Sequence, residues 1–316
     1  MEIVHTAPEI TEFSSLFELL TAFPNEQKCI DHLEAIRWGG IVVSPFAPAS
    51  KVYKCAGNKY KCKNTGKYFN VKTGSIFDDS KVPLQKWFMA IYLIANHKKG
   101  ISSHQIARDL KVTQKTGWFL LHRIRYAFNH ENFQQVMEQT VEADETYVGG
   151  KNKNRHEKKK AKKSQGRNAK DKTPVAGLLE RETGQVRAFK VANAKSSTLH
   201  PIVRNNVAEG ANLMTDEWRG YKGLAGEYNH AVVNHGYMEY VNGNCHTNTL
   251  EGFWSLFKRG VVGIYHSVSP EHLQAYLYEF AYRYNTRQTS DPKRFNAYLY
   301  QVSEKKLTYK KLISHE

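Results

Sequence analysis

Three acidic residues, widely separated in the chain, have the side-chain type that metal-dependent phosphodiester chemistry requires. They are Asp144 in TVEADETYVGGK, Asp216 in NLMTDEWRGY and Glu251 in NTLEGFWSLFKRG. Carboxylate oxygens are the hard ligands that Mg²⁺ prefers, and carboxylates that converge on two such ions can clamp a phosphodiester. If folding brings the three residues to one point, the sequence predicts a site for nucleic-acid chemistry.

The segments around the acids predict the elements that must bring them together. Residues 141–147 alternate as a strand does, with Glu142, Asp144 and Thr146 on one face. Asp216 ends a later strand, ANLMTDE, and Glu251 lies on a helix. The predicted order is three strands, helix, strand, helix, strand and helix, which is a ribonuclease-H-like α/β domain with a mixed five-stranded sheet. A single acidic residue is most often plain surface charge, so the prediction rests on the joint placement of all three.

The helix that carries Glu251 is expected to combine a metal ligand with a phosphate-binding cation. Asn248 or Thr249 is the expected N-cap, and Lys258 lies two turns after Glu251 on nearly the same face. Lys258 and Arg259 are either solvated charges or DNA contacts, and DNA contact is favoured beside an anionic substrate. Three aromatic residues of this helix are assigned to the core rather than to base stacking: Phe253, Trp254 and Phe257.

Composition and charge indicate a polyanionic partner. The chain has 316 residues, 41% of them hydrophobic and 12% aromatic, a formal net charge of +16 and a pI near 9.5. This excess is more than solubility requires, and it favours nucleic acid. No apolar run approaches the roughly 18 residues that span a bilayer, and the N-terminal residues lack the order of a signal peptide. We therefore expect a cytoplasmic, nucleoid-associated protein without membrane contact.

The sequence before the first acid predicts three small modules. Residues 1–40 have the pattern of two short helices, and residues 41–80 that of a β-ribbon whose short strands are separated by Gly, Asn and Lys. Residues 81–135 are expected to be helical. The first helix of this third module follows Pro83 and repeats apolar residues at helical spacing: Trp87, Ile91 and Ile94.

The ribbon raises the question of a structural zinc ion. Two CxxC knuckles would fall at Ser44, Ala47, Cys62 and Thr65, of which only Cys62 is a thiol. One thiolate cannot supply tetrahedral coordination, so zinc binding is not expected. The remaining cysteines are irregularly spaced, so reduced thiols are expected at Cys29, Cys55 and Cys245.

The segment ISSHQIARDLKVTQKTGWFLLHRIRYAF predicts a helix-turn-helix. A helix of about 103–110, a tight turn at residues 111 and 112 and a longer helix of about 114–128 fit its pattern. The alternative is an αα-hairpin with a solvated basic face, and the net charge favours DNA binding. The expected core residues are Ile106, Leu110, Val112, Trp118 and Leu121. The residues left for solvent or DNA are Gln114, Lys115, Arg123 and Arg125.

Residues 136–300 are expected to form the catalytic domain, followed by a C-terminal tail at 301–316. Within this domain, residues 151–172 are rich in lysine and nearly without apolar residues, which predicts a mobile loop. The loop is either a solvated insertion or a DNA contact whose strength would depend on salt. Lys151 at its start and Trp218 after Asp216 are further expected DNA contacts.

Five blocks of the sequence, in order and over nearly the whole chain, resemble bacterial insertion-sequence transposases of the DDE type, in the ISXO-like group. The blocks are FPNEQKCIDHLEAIRWGG, YKCKNTGKYFNVKTGSIF, DETYVGGK, TDEWRGY and HTNTLEGFWSLFKRGVVGIYHSVSPEHLQAYLYEFAYRYNTR. DETYVGGK and EGFWSLFKRG are the specific ones. The resemblance implies a catalytic triad of Asp144, Asp216 and Glu251, with Lys258 as the trailing basic residue. Some relatives have Asn or His as the third acid, which makes Asn248 an alternative participant.

The resemblance also implies an activity and partners. Two magnesium ions, for which manganese can substitute, would support cleavage at an element end and attack of the freed 3′-hydroxyl on target DNA. Double-stranded DNA is then the partner, and pairing of two ends suggests a homodimer or a higher oligomer on DNA. Two alternatives remain open: a ribonuclease-H-like nuclease or resolvase that cuts without joining, and a non-catalytic DNA-binding regulator. The intact triad argues against the regulator. The ribbon of this family usually has four zinc ligands, and this chain lacks three of them. The family's DNA contacts in the ribbon therefore cannot be assigned to residues of this chain.

Overall fold

The computed structural model describes residues 12–129, 135–149, 172–233, 245–303 and 305–314. Nearly all of the predicted basic loop, with the expected contact Lys151, lies outside the described residues. Contacts divide the chain into two compact units, one of Met1–Phe128 with Gln288–Glu316 and one of Asn129–Arg287. No helix in the described ranges is both long and apolar enough to cross a membrane.

Up to the helix that carries Glu251, the elements of the described ranges follow the predicted order with one exception, and three further α-helices come after it. The helices are α1 (Leu16–Ala22), α2 (Glu26–Trp38), α3 (Leu84–Asn96), α4 (Ser103–Leu110), α5 (Gln114–Ala127), α6 (Ser196–Asn206), α7 (Asn248–Gly260), α8 (Leu273–Asn285), α9 (Asp291–Gln301) and α10 (Tyr309–Ile313). The strands are β1 (Val52–Cys55), β2 (Lys59–Cys62), β3 (Tyr68–Phe69), β4 (Thr140–Val148), β5 (Thr173–Glu180), β6 (Val186–Lys190), β7 (Asn212–Asp216) and β8 (Asn229–Val233). The helix expected between β7 and β8 is wrong, because only a single 3₁₀ turn, Arg219–Tyr221, forms there.

The first unit has two helices and a β-ribbon where the sequence predicts them. Asn25 caps α2 by accepting a hydrogen bond from the Lys28 N–H at 3.0 Å, and Gly39 ends the helix in the left-handed conformation. β1, β2 and β3 form an antiparallel sheet in that order. Trp38, the last residue of α2, packs edge-on against Tyr60 and Phe69 of this sheet. One face of the ribbon is therefore covered by α2.

The positions examined for zinc ligands form a hydrogen-bonded cluster inside the ribbon. Cys62 is buried, and hydrogen bonds from the hydroxyl groups of Ser44, Ser50 and Thr65 lower the pKa of its thiol to about 6. The Ser44 hydroxyl oxygen also accepts the Phe46 backbone N–H at 3.2 Å. Hydrogen bonds between hydroxyl and thiol groups thus join these segments of the ribbon.

Helices α4 and α5 match the predicted pair to within one residue. Ser102 and Thr113 cap them, each accepting a backbone N–H from the first turn, and Lys111 between them is left-handed with φ 49°. Ile106, Leu110 and Leu121 are buried as expected, whereas Val112 and Trp118 are only half-buried. At the crossing, a Cβ on Gly117 would lie 2.9 Å from the Ser103 carbonyl oxygen, so the glycine permits the close approach.

Helix α9 belongs to the first unit, although the expected limit of the catalytic domain was residue 300. Asn296 pairs with His32 at 2.7 Å, and the Tyr298 hydroxyl donates to the Ile124 carbonyl at 3.1 Å. The Phe295 ring packs edge-on against Phe88 at 5.2 Å. These contacts join α9 to α2, α3 and α5, and they explain why the division falls near residue 288.

The second unit is a five-stranded mixed sheet with helices packed on it, as the sequence predicts. The strand order is β6-β5-β4-β7-β8, with β4 antiparallel to β5 and parallel to β7. Side chains of β4 alternate between two cores. Val141 and Ala143 pack with Leu199 of α6, while Val148 packs with Phe253 and other residues of α7 and α8. This is the ribonuclease-H-like α/β arrangement, and it places Glu142 and Asp144 on the α7 side of β4.

We expect Gly117→Ala to destabilise the protein by roughly 1–3 kcal/mol, because the new methyl group would meet backbone atoms that cannot move aside easily. Gly252→Ala is the matched control: it is also a helical glycine, but nothing lies within 4 Å of the added methyl group. The control should be neutral or stabilising by up to about 1 kcal/mol. Thermal unfolding of both variants measures the difference, and equal stabilities would contradict the described packing of α4 on α5.

Candidate active site

Asp144 and Asp216 lie side by side on neighbouring parallel strands. Ala143 is paired with Thr215, so Asp144 and Asp216 occupy the next register position, where β7 ends. Parallel neighbours are about 4.8 Å apart, and residues at one register share a face of the sheet. Both carboxylates therefore belong to the α7 face, as the alternation around Asp144 predicts.

The carboxylate of Asp144 is the electrostatic centre of the site. Burial raises its pKa to about 7, and repulsion from Asp216 and Glu251 contributes in the same direction. Hydrogen bonds from the Glu145 backbone and the Trp254 indole oppose this shift, the indole N–H lying 3.0 Å from Oδ2. The charges of all three predicted acids are thus coupled at Asp144.

Asp216 is held in place by the residues that follow it. Its side chain is buried, and its Oδ1 accepts the Trp218 backbone N–H at 3.0 Å. The Trp218 indole N–H donates to the Ala194 carbonyl at 2.8 Å, and the ring packs against the core. Trp218, expected as a DNA contact, is half-buried and stabilises the turn after β7.

Glu142 anchors the beginning of α7 on β4. Its buried carboxylate accepts the Leu250 backbone N–H and the Thr249 hydroxyl, each at 2.9 Å, and the Arg181 Nε–H at 2.7 Å. A carboxylate at a helix N-terminus satisfies backbone donors that have no partner within the helix. The expectation that Asn248 or Thr249 caps the helix is wrong, since α7 begins after Thr247 and a residue of the sheet supplies the acceptor.

Glu251 follows this anchor directly. It lies in the first turn of α7 and is exposed, and its Oε1 accepts the Thr247 hydroxyl at 3.2 Å. Because the preceding residue, Leu250, is bonded to Glu142, the backbone that carries Glu251 is fixed relative to β4. Asn248, the alternative participant, is exposed and is the first residue of the same helix.

The three acids interact electrostatically, but their side chains are not close enough together to hold a metal ion as they stand. Within the described ranges, no three His, Cys, Asp or Glu side chains converge closely enough to hold a metal ion. The donor set nonetheless suits a hard divalent cation, since two neighbouring carboxylates repel each other and a third acts on the same centre. A cation among them would relieve the repulsion that raises the pKa of Asp144.

Lys258 and Arg259 are both exposed in the last turn of α7. Although Lys258 is exposed as a residue, partial burial lowers the pKa of its ammonium group, and attraction to Asp144 opposes this shift. A positive charge on the helix that carries Glu251 is therefore coupled to the acidic centre, as the spacing of seven residues predicts.

Of the predicted DNA contacts in α5, Gln114 and Lys115 are exposed and Arg123 is not. Gln114 donates to the Ser103 hydroxyl at 3.0 Å, and the Lys115 ammonium lies 5.1 Å from the Tyr309 ring. The prediction for Arg123 is wrong: its side chain is 4% exposed. Its guanidinium donates to the Asp78 carbonyl and lies over the rings of two aromatic residues, Trp87 and Phe119. The companion expectation for Arg125, only 1% exposed, is wrong as well.

Sequence reasoning missed the glycine that admits Trp254 to the site. Gly177 of β5 is paired directly with Asp144, and a Cβ there would lie 2.3 Å from the Trp254 ring. The indole can donate to Asp144 only because this strand position has no side chain. A glycine inside an otherwise apolar strand is a signal of close approach that could have found it. Glu142 lies two residues before Asp144 and therefore on the same face of β4. This spacing was the sequence signal that could have indicated a role for Glu142 near the site.

Comparison with known proteins agrees with the resemblance noted in the sequence. Residues 136–285, which contain all three acids, match the family model for the ISXO2-like transposase domain. The chain is 30% identical over 276 residues to an uncharacterized protein in transposable element ISH50 of Halobacterium salinarum, covering 84% of this chain and 92% of the relative. It is 30% identical over 105 residues to an uncharacterized transposase-like protein of Haemophilus influenzae, covering 33% and 84%. A search of the solved structures found no match.

Gly177→Ala should destabilise the protein by roughly 1–3 kcal/mol, because the new methyl group and the Trp254 ring cannot occupy the same space. Trp254→Phe removes the clashing ring atoms, so the double variant should be more stable than the sum of the single effects predicts. Equilibrium unfolding of the two single variants and the double variant forms the cycle. Strict additivity would mean that the two residues are not in contact.

Glu142→Ala should release the first turn of α7, because the Leu250 N–H and Arg181 lose their buried acceptor. We expect a loss of about 1.5–3 kcal/mol, as for hydrogen bonds to a charged group, and faster amide hydrogen exchange at Leu250. Glu138→Ala, at an exposed carboxylate just before the same strand, is the control and should leave that exchange unchanged. Unaltered protection of Leu250 in Glu142→Ala would contradict the anchor.

Proposed function

We propose, because the chain belongs to the family of ISXO2-like transposases, that it binds the ends of an insertion element and catalyses metal-dependent DNA cleavage and strand transfer. The observation that carries the proposal is that Asp144 and Asp216 occupy adjacent positions on neighbouring parallel strands, at the carboxyl end of β7, while Glu251 lies in the first turn of the helix that is bonded to β4. Ligand and substrate sites of open α/β sheets lie at such edges. Transesterification needs no covalent enzyme intermediate, so a nucleophilic side chain is not required.

The carboxylates of Asp144, Asp216 and Glu251 are the proposed metal ligands. When bound, two Mg²⁺ ions, or Mn²⁺ in their place, would activate the attacking oxygen and stabilise the leaving oxygen during in-line displacement. Asp144, which both other acids act upon, is the proposed shared ligand. Burial, and after it repulsion from Asp216 and Glu251, raises the pKa of Asp144. A divalent cation would offset both effects, because it favours the ionised carboxylate.

Other side chains of the domain orient these ligands. The Trp254 indole and the Trp218 backbone N–H each donate to one aspartate oxygen and so restrict the rotation of Asp144 and Asp216. Preorganised ligands lower the free energy needed to assemble the metal site. The Glu142 anchor does the same for the helix from which Glu251 projects.

Basic and polar residues are the proposed contacts to the DNA. Lys258 is the proposed phosphate-binding residue of the catalytic domain, with Arg259 next to it, and Asn248 is a proposed contact at the other end of α7. In the first unit, the exposed residues Gln114 and Lys115 at the beginning of α5 are the proposed contacts of a helix-turn-helix. Pairing of two element ends makes a homodimer on DNA the expected assembly.

Asp144→Asn, Asp216→Asn and Glu251→Gln should each reduce cleavage and joining by on the order of 10²-fold or more while leaving DNA binding intact, because they remove a metal ligand but no DNA contact. The substrate is a plasmid that carries the DNA flanking the reading frame, incubated with Mg²⁺, with the joined products sequenced. Binding is measured separately in EDTA. Glu209→Gln, at an exposed carboxylate in a turn of the same unit, is the matched control and should be fully active.

The outcome also separates the alternatives. Near-normal strand transfer by Asp144→Asn would refute the assignment of the triad. Metal-dependent cutting by the unaltered protein without any joined product would indicate a nuclease or resolvase. Sequence-specific binding without cleavage would indicate a regulator.

A further inference from the structure

The β-ribbon of the first unit has one buried face and one exposed face. Tyr60, Cys62 and Phe69 are buried on the inner face, where Trp38 of α2 covers the sheet. Successive residues of a strand point to opposite faces, so the neighbouring side chains point outward. In the part of the chain that the structure describes, two rings of this outer face, Tyr53 and Tyr68, are exposed.

Two tyrosines and a lysine form a row across the outer face. Tyr53 of β1 is paired with Lys61 of β2, and Lys61 is paired with Tyr68 of β3. Residues that are paired directly across antiparallel strands lie about 5 Å apart on the same face. The two rings are 43% and 59% exposed, so the row presents aromatic surface to solvent on both sides of a cation.

Lysine ammonium groups lie over the rings of this face. Lys51 lies 5.5 Å from the centroid of Tyr53, and Lys61 lies 5.5 Å from that of Tyr68. At the margin, Lys67 lies 5.2 Å from the ring of Phe46, which is itself 40% exposed. Cation–π contacts hold these lysines close to the rings instead of letting them extend freely into solvent.

The strands of the row have charges of a single sign, and two acidic residues lie near one end of it. Asp78 and Asp79 border the same pocket as Tyr68, and the Lys306 ammonium group pairs with their carboxylates at 2.7 Å and 2.8 Å. From Ala35 to Phe77 the sequence contains eight Lys and Arg residues and neither Asp nor Glu. An ordinary solvated sheet face mixes both signs of charge, and isolated exposed aromatics on strands need no explanation. Here the aromatics are aligned in register and the strands that carry them have only positive charges, so a polyanion with aromatic faces is the complementary ligand.

We propose that this outer face of the ribbon binds single-stranded nucleic acid, with unpaired bases stacked on Tyr53 and Tyr68 and the phosphates held by the surrounding lysines. In a duplex the faces of the bases are covered by their neighbours, so rings on a flat sheet can stack only on unpaired bases. A basic surface without aromatics would serve a duplex equally well. The combination of exposed rings and lysines therefore favours a single strand.

This activity is separate from the proposed catalysis. The face lies in the first unit and uses none of the three acids, so it can be tested in EDTA, where no metal-dependent reaction occurs. Failure of the catalytic proposal would leave it unaffected, and its own failure would leave the triad unaffected.

The experiment measures binding of the full chain to a fluorescent oligothymidylate of roughly 12 nucleotides, over a range of salt concentrations in EDTA. Tyr53→Ala/Tyr68→Ala should weaken binding by at least about tenfold at every salt concentration without changing the slope against salt, because stacking does not release counterions. The affinity of the same variant for a duplex of the same length should change less than about twofold. Lys61→Gln should instead reduce the salt slope by about one unit.

Two control variants make the result specific. Tyr53→Phe/Tyr68→Phe keeps both rings and should bind like the unaltered protein, and Tyr300→Ala removes another exposed tyrosine, on α9, and should also be without effect. Thermal unfolding of the alanine variant should be unchanged, since both rings are exposed. The alanine variant is also measured with oligouridylate in place of oligothymidylate, which distinguishes RNA from DNA. The oligonucleotide for which the variant loses more affinity is the preferred ligand. Unweakened binding of both polymers by the alanine variant, or an equal loss on the duplex, would overturn the proposal.

Discussion

The catalytic domain depends on a carboxylate that is not itself among the predicted ligands. Glu142 is buried in the middle strand of the sheet, and it binds the first turn of α7 and Arg181 at the same time. Its separation of two residues from Asp144 makes one strand responsible for both the central acid and the attachment of the helix that carries Glu251. A shift of this strand by one residue would bury Asp144 on the α6 side and detach α7, so the register of β4 is the constraint on which the site rests.

A second constraint is that like charges must be held together against their repulsion. Burial and two neighbouring carboxylates disfavour the ionised form of Asp144. The Trp254 indole restrains Asp144, and the Trp218 backbone N–H restrains Asp216. The Trp254 indole is well suited to this because its large apolar ring packs in the core while its single N–H points at the acid. Gly177 is the necessary counterpart, because any side chain opposite Asp144 would displace the ring. The site therefore consists of charged groups held by an apolar framework.

The parts of this architecture that follow from local sequence were predictable, and those that follow from tertiary contacts were not. Strand alternation put Glu142 and Asp144 on the same face, and capping residues located α4 and α5 to within one residue. In contrast, the basic residues of α5 gave no sign that Arg123 would be buried, because its partners, the Asp78 carbonyl and the Trp87 ring of α3, are distant in the sequence. For the same reason, no local pattern in α9 revealed that it packs with the first unit.

The contacts that stabilise the ribbon are made by the side chains of its inner face. A module of this size usually needs a disulfide or a metal to remain folded on its own, because its core is small. Here the Cys62 cluster and the aromatic contacts with Trp38 use the inward side chains, and α2 supplies core that the ribbon lacks. None of these stabilising contacts uses the rings of Tyr53 and Tyr68. Their exposure is therefore not a requirement of the fold, and since burying aromatic surface is favourable, rings left in solvent beside lysines are better explained by a ligand than by stability.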